Sequence, residues 1–169
     1  MKFAALFVLK SLSLICLTIP GWLTYTDSQN KFTMTYPREW TQEKVGNMAA
    51  FLSPQENFTD SFRENVNLML QDLSQQPMDL KQYTELTKNQ ITQMFGDSAI
   101  LSSGSKTIGG QPAVEMTYNM FNQGHHLKIK QYWFIIGTTA YLFTYTAQPE
   151  KFSKFEETAL TVINSFKFF

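Results

Sequence analysis

The chain has 169 residues and a mass of 19.5 kDa, room for one domain with or without a leader. Hydrophobic residues make up 43% of it and aromatic residues 15%, enough for a packed core, which excludes a disordered chain. Fourteen basic residues cancel fourteen acidic ones, which excludes a general binder of nucleic-acid phosphates, and a single cysteine excludes both an internal disulfide and a thiolate zinc site.

Met1 and Lys2 open an apolar stretch, Phe3 to Leu9 and Ser11 to Ile19, interrupted by Lys10 and stopped by Pro20-Gly21. A basic start, an apolar run and a helix breaker read as a signal peptide or membrane anchor over residues 1–21. The expectation is therefore an exported or membrane-anchored protein of the periplasm or envelope; a cytosolic helix is the other reading. Cys16 follows Ser13-Leu14-Ile15, which lacks the small residue that a lipoprotein-processing pocket needs. Without Lys2 and Lys10, 12 basic residues face 14 acidic ones, so residues 22–169 form one mildly acidic domain.

Leu23 to Thr26 and Phe32 to Tyr36 flank the turn signal Asp27-Ser28-Gln29-Asn30 and read as a hairpin. Pro37 ends it and Trp40 follows. A short strand is expected at Met48 to Leu52, a polar loop at Asn57 to Arg63, and a strand around Val66, Leu68 and Leu70. Asp79 with Gln82 forms a capping box ahead of a helix whose apolar stripe is Leu80, Tyr83, Ile91 and Met94, with Gly96 as its stop. Ile100 to Lys106, Pro112 to Phe121, Leu127 to Ile136 and Ala140 to Ala147 read as four strands of an antiparallel meander. Tyr132 to Ile136 and Tyr141 to Phe143 are apolar on both faces, so these strands are central and covered twice. Pro149 opens a second amphipathic helix carrying Phe152, Phe155, Ala159, Ile163 and Phe166. The fold class is α+β: an α/β/α sandwich, with a mostly antiparallel sheet and an amphipathic helix on each face. The alternative is a β-roll with both helices on one side.

Few residues offer chemistry. His125 and His126 are neighbours, so on a strand their side chains point to opposite faces and cannot grip one ion. Ser103-Gly104-Ser105 lacks a nucleophile elbow, and Gly109-Gly110 opens a strand instead of a phosphate-cradling helix. Glu39, Glu64 and Glu115 fall at polar positions on separate elements and read as solvated carboxylates. The aromatic set Trp40, Tyr118, Tyr132, Trp133, Tyr141 and Tyr145 reads first as core; Trp40, Tyr132, Trp133 and His125 are the candidate contacts for a ligand or partner. No cofactor and no metal site is indicated. Asn57-Phe58-Thr59 is a glycosylation sequon if the host modifies exported proteins.

Several segments together resemble the PsbP-like superfamily, which includes the bacterial DcrB-like and PsbP-related proteins and, more distantly, the Ran-release factors. They are Phe32-Thr33-Met34-Thr35-Tyr36-Pro37-Arg38-Glu39-Trp40, Phe51-Leu52-Ser53-Pro54, Asn65-Val66-Asn67, Ile108-Gly109-Gly110-Gln111-Pro112-Ala113 and the closing run from Tyr141 to Phe166. Tyr36, Pro37, Trp40, Pro54, Gly109, Gly110 and Pro112 carry the resemblance, as structural positions. It implies an α/β/α sandwich and a non-enzymatic accessory or binding protein whose partner is a protein or membrane complex, with no role for nucleic acid. The photosynthetic subunit's long basic arm is not evident, since Leu23 runs directly into the fold. A small-ligand carrier with an apolar pocket, or a cytosolic regulator of a GTPase, are the alternative functions.

Overall fold

The computed structural model describes residues 21–169, so the apolar leader and Cys16 lie outside the described residues. Trp22–Asp27 (β1) and Phe32–Pro37 (β2) form the expected hairpin, in register from Trp22 opposite Pro37 to Asp27 opposite Phe32. Asp27 shapes its turn: the carboxylate accepts from the backbone N–H groups of Gln29 (3.1 Å) and Asn30 (2.9 Å). Thr41–Val45 (β3) and Met48–Leu52 (β4) form a second hairpin, and Asn65–Asp72 (β5) pairs with β4. β3 has no counterpart among the strands expected from the sequence.

Leu80–Phe95 (α1) starts at the Asp79 capping box, with both reciprocal hydrogen bonds present, and stops at Gly96. A 3-10 turn at Asp97–Ala99 leads into Ile100–Ile108 (β6), followed by Gln111–Asn122 (β7), His125–Ile136 (β8) and Thr139–Ala147 (β9). Pro149–Asn164 (α2) places Pro149 in its first turn, where a missing N–H costs nothing. Lys167–Phe168 (β10) closes the chain against β2.

The strands form two antiparallel sheets: seven strands in the order β3-β4-β5-β9-β8-β7-β6, and three in the order β1-β2-β10. Alternation along each strand divides the core into two clusters, one on each face of the large sheet. On one face α2 and the small sheet cover Phe51, Val66, Leu68, Tyr132, Phe134, Phe143 and Tyr145. On the other, α1 covers Met116, Tyr118, Ile129 and Trp133. One helix per face makes this the sandwich and not the β-roll, with the small sheet as an addition beside α2.

The residues that carry the family resemblance fall at both packed and exposed positions. Tyr36 meets Phe51 ring to ring at 4.9 Å, Pro37 is buried, and Trp40, 5% exposed, packs on Phe155 of α2. Pro54 is exposed where the chain leaves β4. Gly109 and Gly110 turn the β6–β7 hairpin at φ +57° and +79°, and a methyl group on Gly109 would stand 2.6 Å from the Phe166 ring. Pro112 lacks an N–H, yet β7 begins to pair with β8 only at Val114.

Candidate functional site

The two faces differ in how completely they are covered. Beside α2, Phe166 sits among Phe32, Phe134, Tyr141, Phe143 and Phe168 with ring centroids 4.8–6.0 Å apart. Ser165 ties this end of α2 to β2: its hydroxyl accepts from Thr35 N–H at 2.7 Å. The aromatic rings on this face are packed against one another.

α1 lies over β7 and β8 and is fixed at two points. The Trp133 indole N–H donates to the Thr84 hydroxyl (3.0 Å), which donates to the Leu80 carbonyl (2.6 Å). The Tyr83 hydroxyl donates to the Gln71 side chain on β5 (2.8 Å). Burial therefore falls on Tyr83, Thr84 and Ile91, whereas Met94, expected on the buried stripe, is 72% exposed. The helix leaves the neighbouring part of the sheet open. On that surface Met69 stands opposite Leu142, whose other neighbour, Trp133, is buried beneath α1, and Asn67, Thr144 and Gln131 form the next row.

Between α1 and this surface runs a groove of about 300 Å³. Thr87, Gln90 and Met94 form its helix wall; Gln71, Leu142, Gln131 and Met120 form its floor; Phe95 and Tyr118, stacked with centroids 6.3 Å apart, close one end. No lining residue is charged. Its amides can exchange hydrogen bonds with a backbone or amide, and its methionines can adapt to an apolar side chain. Burial pushes the Tyr83 and Tyr118 hydroxyls up to about 12, so both are neutral donors at ordinary pH.

The contact residues expected from the sequence are not brought together. Trp133 is buried beneath α1, and Tyr132, its neighbour, points to the α2 face. Trp40 also lies on the α2 face, so Trp40 and Trp133 cannot line one cavity. His125 contacts Phe62 at 5.5 Å between ring centroids, and His126 contacts Phe121 at 4.9 Å, on opposite faces as the strand alternation requires. Among the described residues no group of three His, Cys, Asp or Glu side chains is placed to hold a metal ion. The groove residues Gln71, Gln90 and Gln131 were missed because each reads as an ordinary surface residue on its own element, and Met94 because its place on the apolar stripe reads as core.

A second cluster corrects the reading of Glu64 as a solvated carboxylate. Glu64 is fully buried, neither carboxylate oxygen has a hydrogen-bond partner, and burial pushes its pKa up. Residues 53–64 fold over the first turn of α2, where the Lys151 ammonium meets Asp60 at 2.6 Å, Glu56 at 3.1 Å and Glu64 at 3.8 Å. Lys154 pairs with Glu56.

The family model for PsbP-like proteins matches residues 21–168, so it spans both sheets and both helices. No curated protein matches the chain. Among solved structures, the cyanobacterial PsbP of Synechocystis sp. PCC 6803, called CyanoP, is similar at TM-score 0.59 and 14% identity, covering 95% of this chain and 99% of its own. LpqN of Mycobacterium tuberculosis, described as involved in cell envelope biogenesis, is similar at TM-score 0.64 and 10% identity, covering 86% and 89%. PA94 of Pseudomonas aeruginosa, a protein of unknown function, is similar at TM-score 0.62 and 14% identity, covering 85% and 94%. At these identities the likeness shows the fold alone; it is the family match over nearly all of the described residues that places the chain in the PsbP-like protein family.

Proposed function

We propose that this protein is a non-enzymatic accessory protein that acts outside the cytoplasm and holds an uncharged, apolar segment of a protein partner in the groove beside α1. The observation that carries the reading is the groove itself. It is open, free of charged side chains, and walled by glutamine amides and methionines, with Met94 and Met69 exposed beside it. That chemistry suits a peptide segment with apolar side chains and a backbone that needs hydrogen bonds. Export draws support from the leader pattern of Met1 to Gly21 and from the likeness to LpqN, a protein involved in cell envelope biogenesis.

The test uses the full chain in its native cells, with a photo-crosslinking amino acid at Met94 or at Lys81, an exposed helix position that does not line the groove. Crosslinking from position 94 to one protein, absent from position 81, is the expected result. Protease accessibility in the same cells reports the compartment. A full-length chain confined to the cytosol overturns the extracytoplasmic reading. An apolar small molecule that co-purifies with the protein and raises its melting temperature overturns the protein partner in favour of a ligand carrier.

A further inference from the structure

The buried carboxylate of Glu64 belongs to neither the core nor the groove, and its surroundings define a device. It sits at the end of the segment 53–64, which leaves β4 and returns to β5. The segment is tied down at three places. Ser53 N–H donates to the Glu64 carbonyl (2.8 Å), the Arg63 guanidinium donates to the Ser53 and Leu52 carbonyls and to the Thr41 hydroxyl, and Asp60 and Glu56 reach Lys151 on α2. The Ser53 hydroxyl is buried beside these contacts without a hydrogen-bond partner, and both Glu64 oxygens likewise lack one, with the Lys151 ammonium 3.8 Å away. Buried polar groups left unpaired cost stability, and an ionised one costs most.

Glu64 faces charge and titratable groups from every element around it. From α2 comes Lys151, 3.8 Å away, with Lys154 beyond it on Glu56; from the segment itself come Asp60 and Glu56. From β9 comes Tyr145, whose hydroxyl is committed to the Phe152 carbonyl at 2.7 Å and donates nothing to Glu64. One ammonium is thus shared by three carboxylates, and Asp60, at the shortest distance, takes the largest part of it. Asp60 and Glu56 are held below their ordinary values: for Asp60 the backbone N–H of Glu56 leads and Lys151 follows, and for Glu56 the leading cause is Lys154.

We propose that the segment 53–64 is a proton-operated clasp on the first turn of α2, closed while Glu64 is protonated and Asp60 and Glu56 are ionised, and loosened when Glu64 gives up its proton. Opening frees Lys151 and Lys154 and withdraws Phe62 from its place against His125, so a basic helix end becomes available at the margin of both core clusters. The two sets of carboxylates act with opposite sign. A carboxyl held low in the closed state stabilises it above the ordinary carboxylate value, and that contribution is lost as pH falls through the lowered pKa. A carboxyl held high stabilises the closed state below its ordinary value, and that contribution is lost as pH rises through the raised pKa. The clasp is therefore tightest in mild acid, at about pH 4–5, and loosens on both sides.

The experiment is hydrogen exchange on the full chain from pH 3 to 8, with protection factors corrected for intrinsic exchange and α1 as internal reference. Segment 53–64 is expected to show a maximum in mild acid, losing up to about tenfold in protection per pH unit on the alkaline limb. Glu64→Gln, isosteric and uncharged, should flatten the alkaline limb alone, whereas Asp60→Asn should weaken the acid limb and, by turning Lys151 toward Glu64, move the alkaline limb to lower pH. Protection that does not vary with pH, or an alkaline limb unchanged in Glu64→Gln, overturns the proposal. If Glu64→Gln fails to fold, the Asp60→Asn profile decides it: the alkaline limb must move to lower pH as Lys151 turns to Glu64, and an alkaline limb that stays where it was overturns the proposal.

Discussion

The two faces of the large sheet are built from the same strands, and their residues alternate along the same backbone, yet they end in opposite states. On the α2 face a helix and a small sheet that includes the carboxyl-terminal strand cover an aromatic cluster from two sides. On the α1 face a single helix, held by Thr84 and Tyr83, covers β7 and β8 and leaves the surface around Met69, Asn67 and Leu142 exposed or half-covered. Stability is concentrated where cover is redundant, and the surface left to a partner lies where cover is single. Substitutions should therefore separate into large stability effects on one face and small ones, with binding consequences, on the other.

The largest effect is expected at the centre of the closed face. Phe166→Ala removes a ring, 1% exposed, that meets five other aromatic rings. The cavity should cost about 3–5 kcal/mol in denaturant unfolding, and it also loosens β10 from β2. Gly109→Ala adds one methyl group on the same face and should cost about 2–3 kcal/mol, since it combines a positive φ with the clash at Phe166. Combining it with Phe166→Leu, which vacates space at that point, should recover part of the loss; equal loss in the double variant would place the whole effect in the backbone turn.

On the α1 face the comparable perturbation is smaller. Thr84→Val keeps shape and volume but leaves the buried Trp133 N–H without its acceptor, at about 1–2 kcal/mol. An equal or larger cost than Phe166→Ala would break the contrast between the faces. Asp27 tests the edge of the closed face, where its carboxylate joins the β1–β2 turn to Lys44 on β3 at 3.0 Å. Burial alone would raise it, but the Asn30 N–H and the Lys44 ammonium together outweigh burial and hold it at about 2. A depressed carboxyl stabilises the fold above its ordinary value and loses that contribution as pH falls from about 4 toward 2. Asp27→Asn should thus cost about 1–2 kcal/mol at pH 7 and close to nothing at pH 2, read from urea midpoints at the two pH values.

These differences set what a sequence can reveal. The meander, the capping box of α1 and the two-sided burial of β8 and β9 are periodic signals within single elements, and each was legible. β3, with the sequence Thr-Gln-Glu-Lys-Val, has no inward-facing apolar set; it is a strand because β4 supplies a partner for its backbone. Phe166 reads as the last residue of a helical stripe, but α2 ends at Asn164, and the ring enters the core from the turn that follows. Glu64 is buried by a helix 85 positions further on, beyond the range of any local pattern. The groove has the same difficulty in a stronger form. Gln71 and Gln131 come from separate strands that only the β5-β9-β8 order brings near each other, and Met94 joins them from α1, where its place on the apolar stripe reads as core.

Met94→Lys carries the smallest expected stability change and the sharpest test of the contrast. Met94 is 72% exposed on the last turn of α1, so exchanging it for a good helix former should move the unfolding free energy by no more than about 0.5 kcal/mol. A cation near a helix carboxyl terminus interacts favourably with the helix dipole, which offsets part of the lost packing. The same substitution places an ammonium at the mouth of a groove whose lining has no charge, where an apolar segment would have to desolvate it. Binding should then fall by at least tenfold while the melting temperature stays within a degree or two, as roughly 1.4 kcal/mol of lost affinity requires. A matching loss at Ile136→Lys, an exposed apolar residue at the far end of β8 that does not line the groove, would show that any surface charge suffices. Full affinity in Ile136→Lys beside a tenfold loss in Met94→Lys would fix the binding surface on the singly covered face.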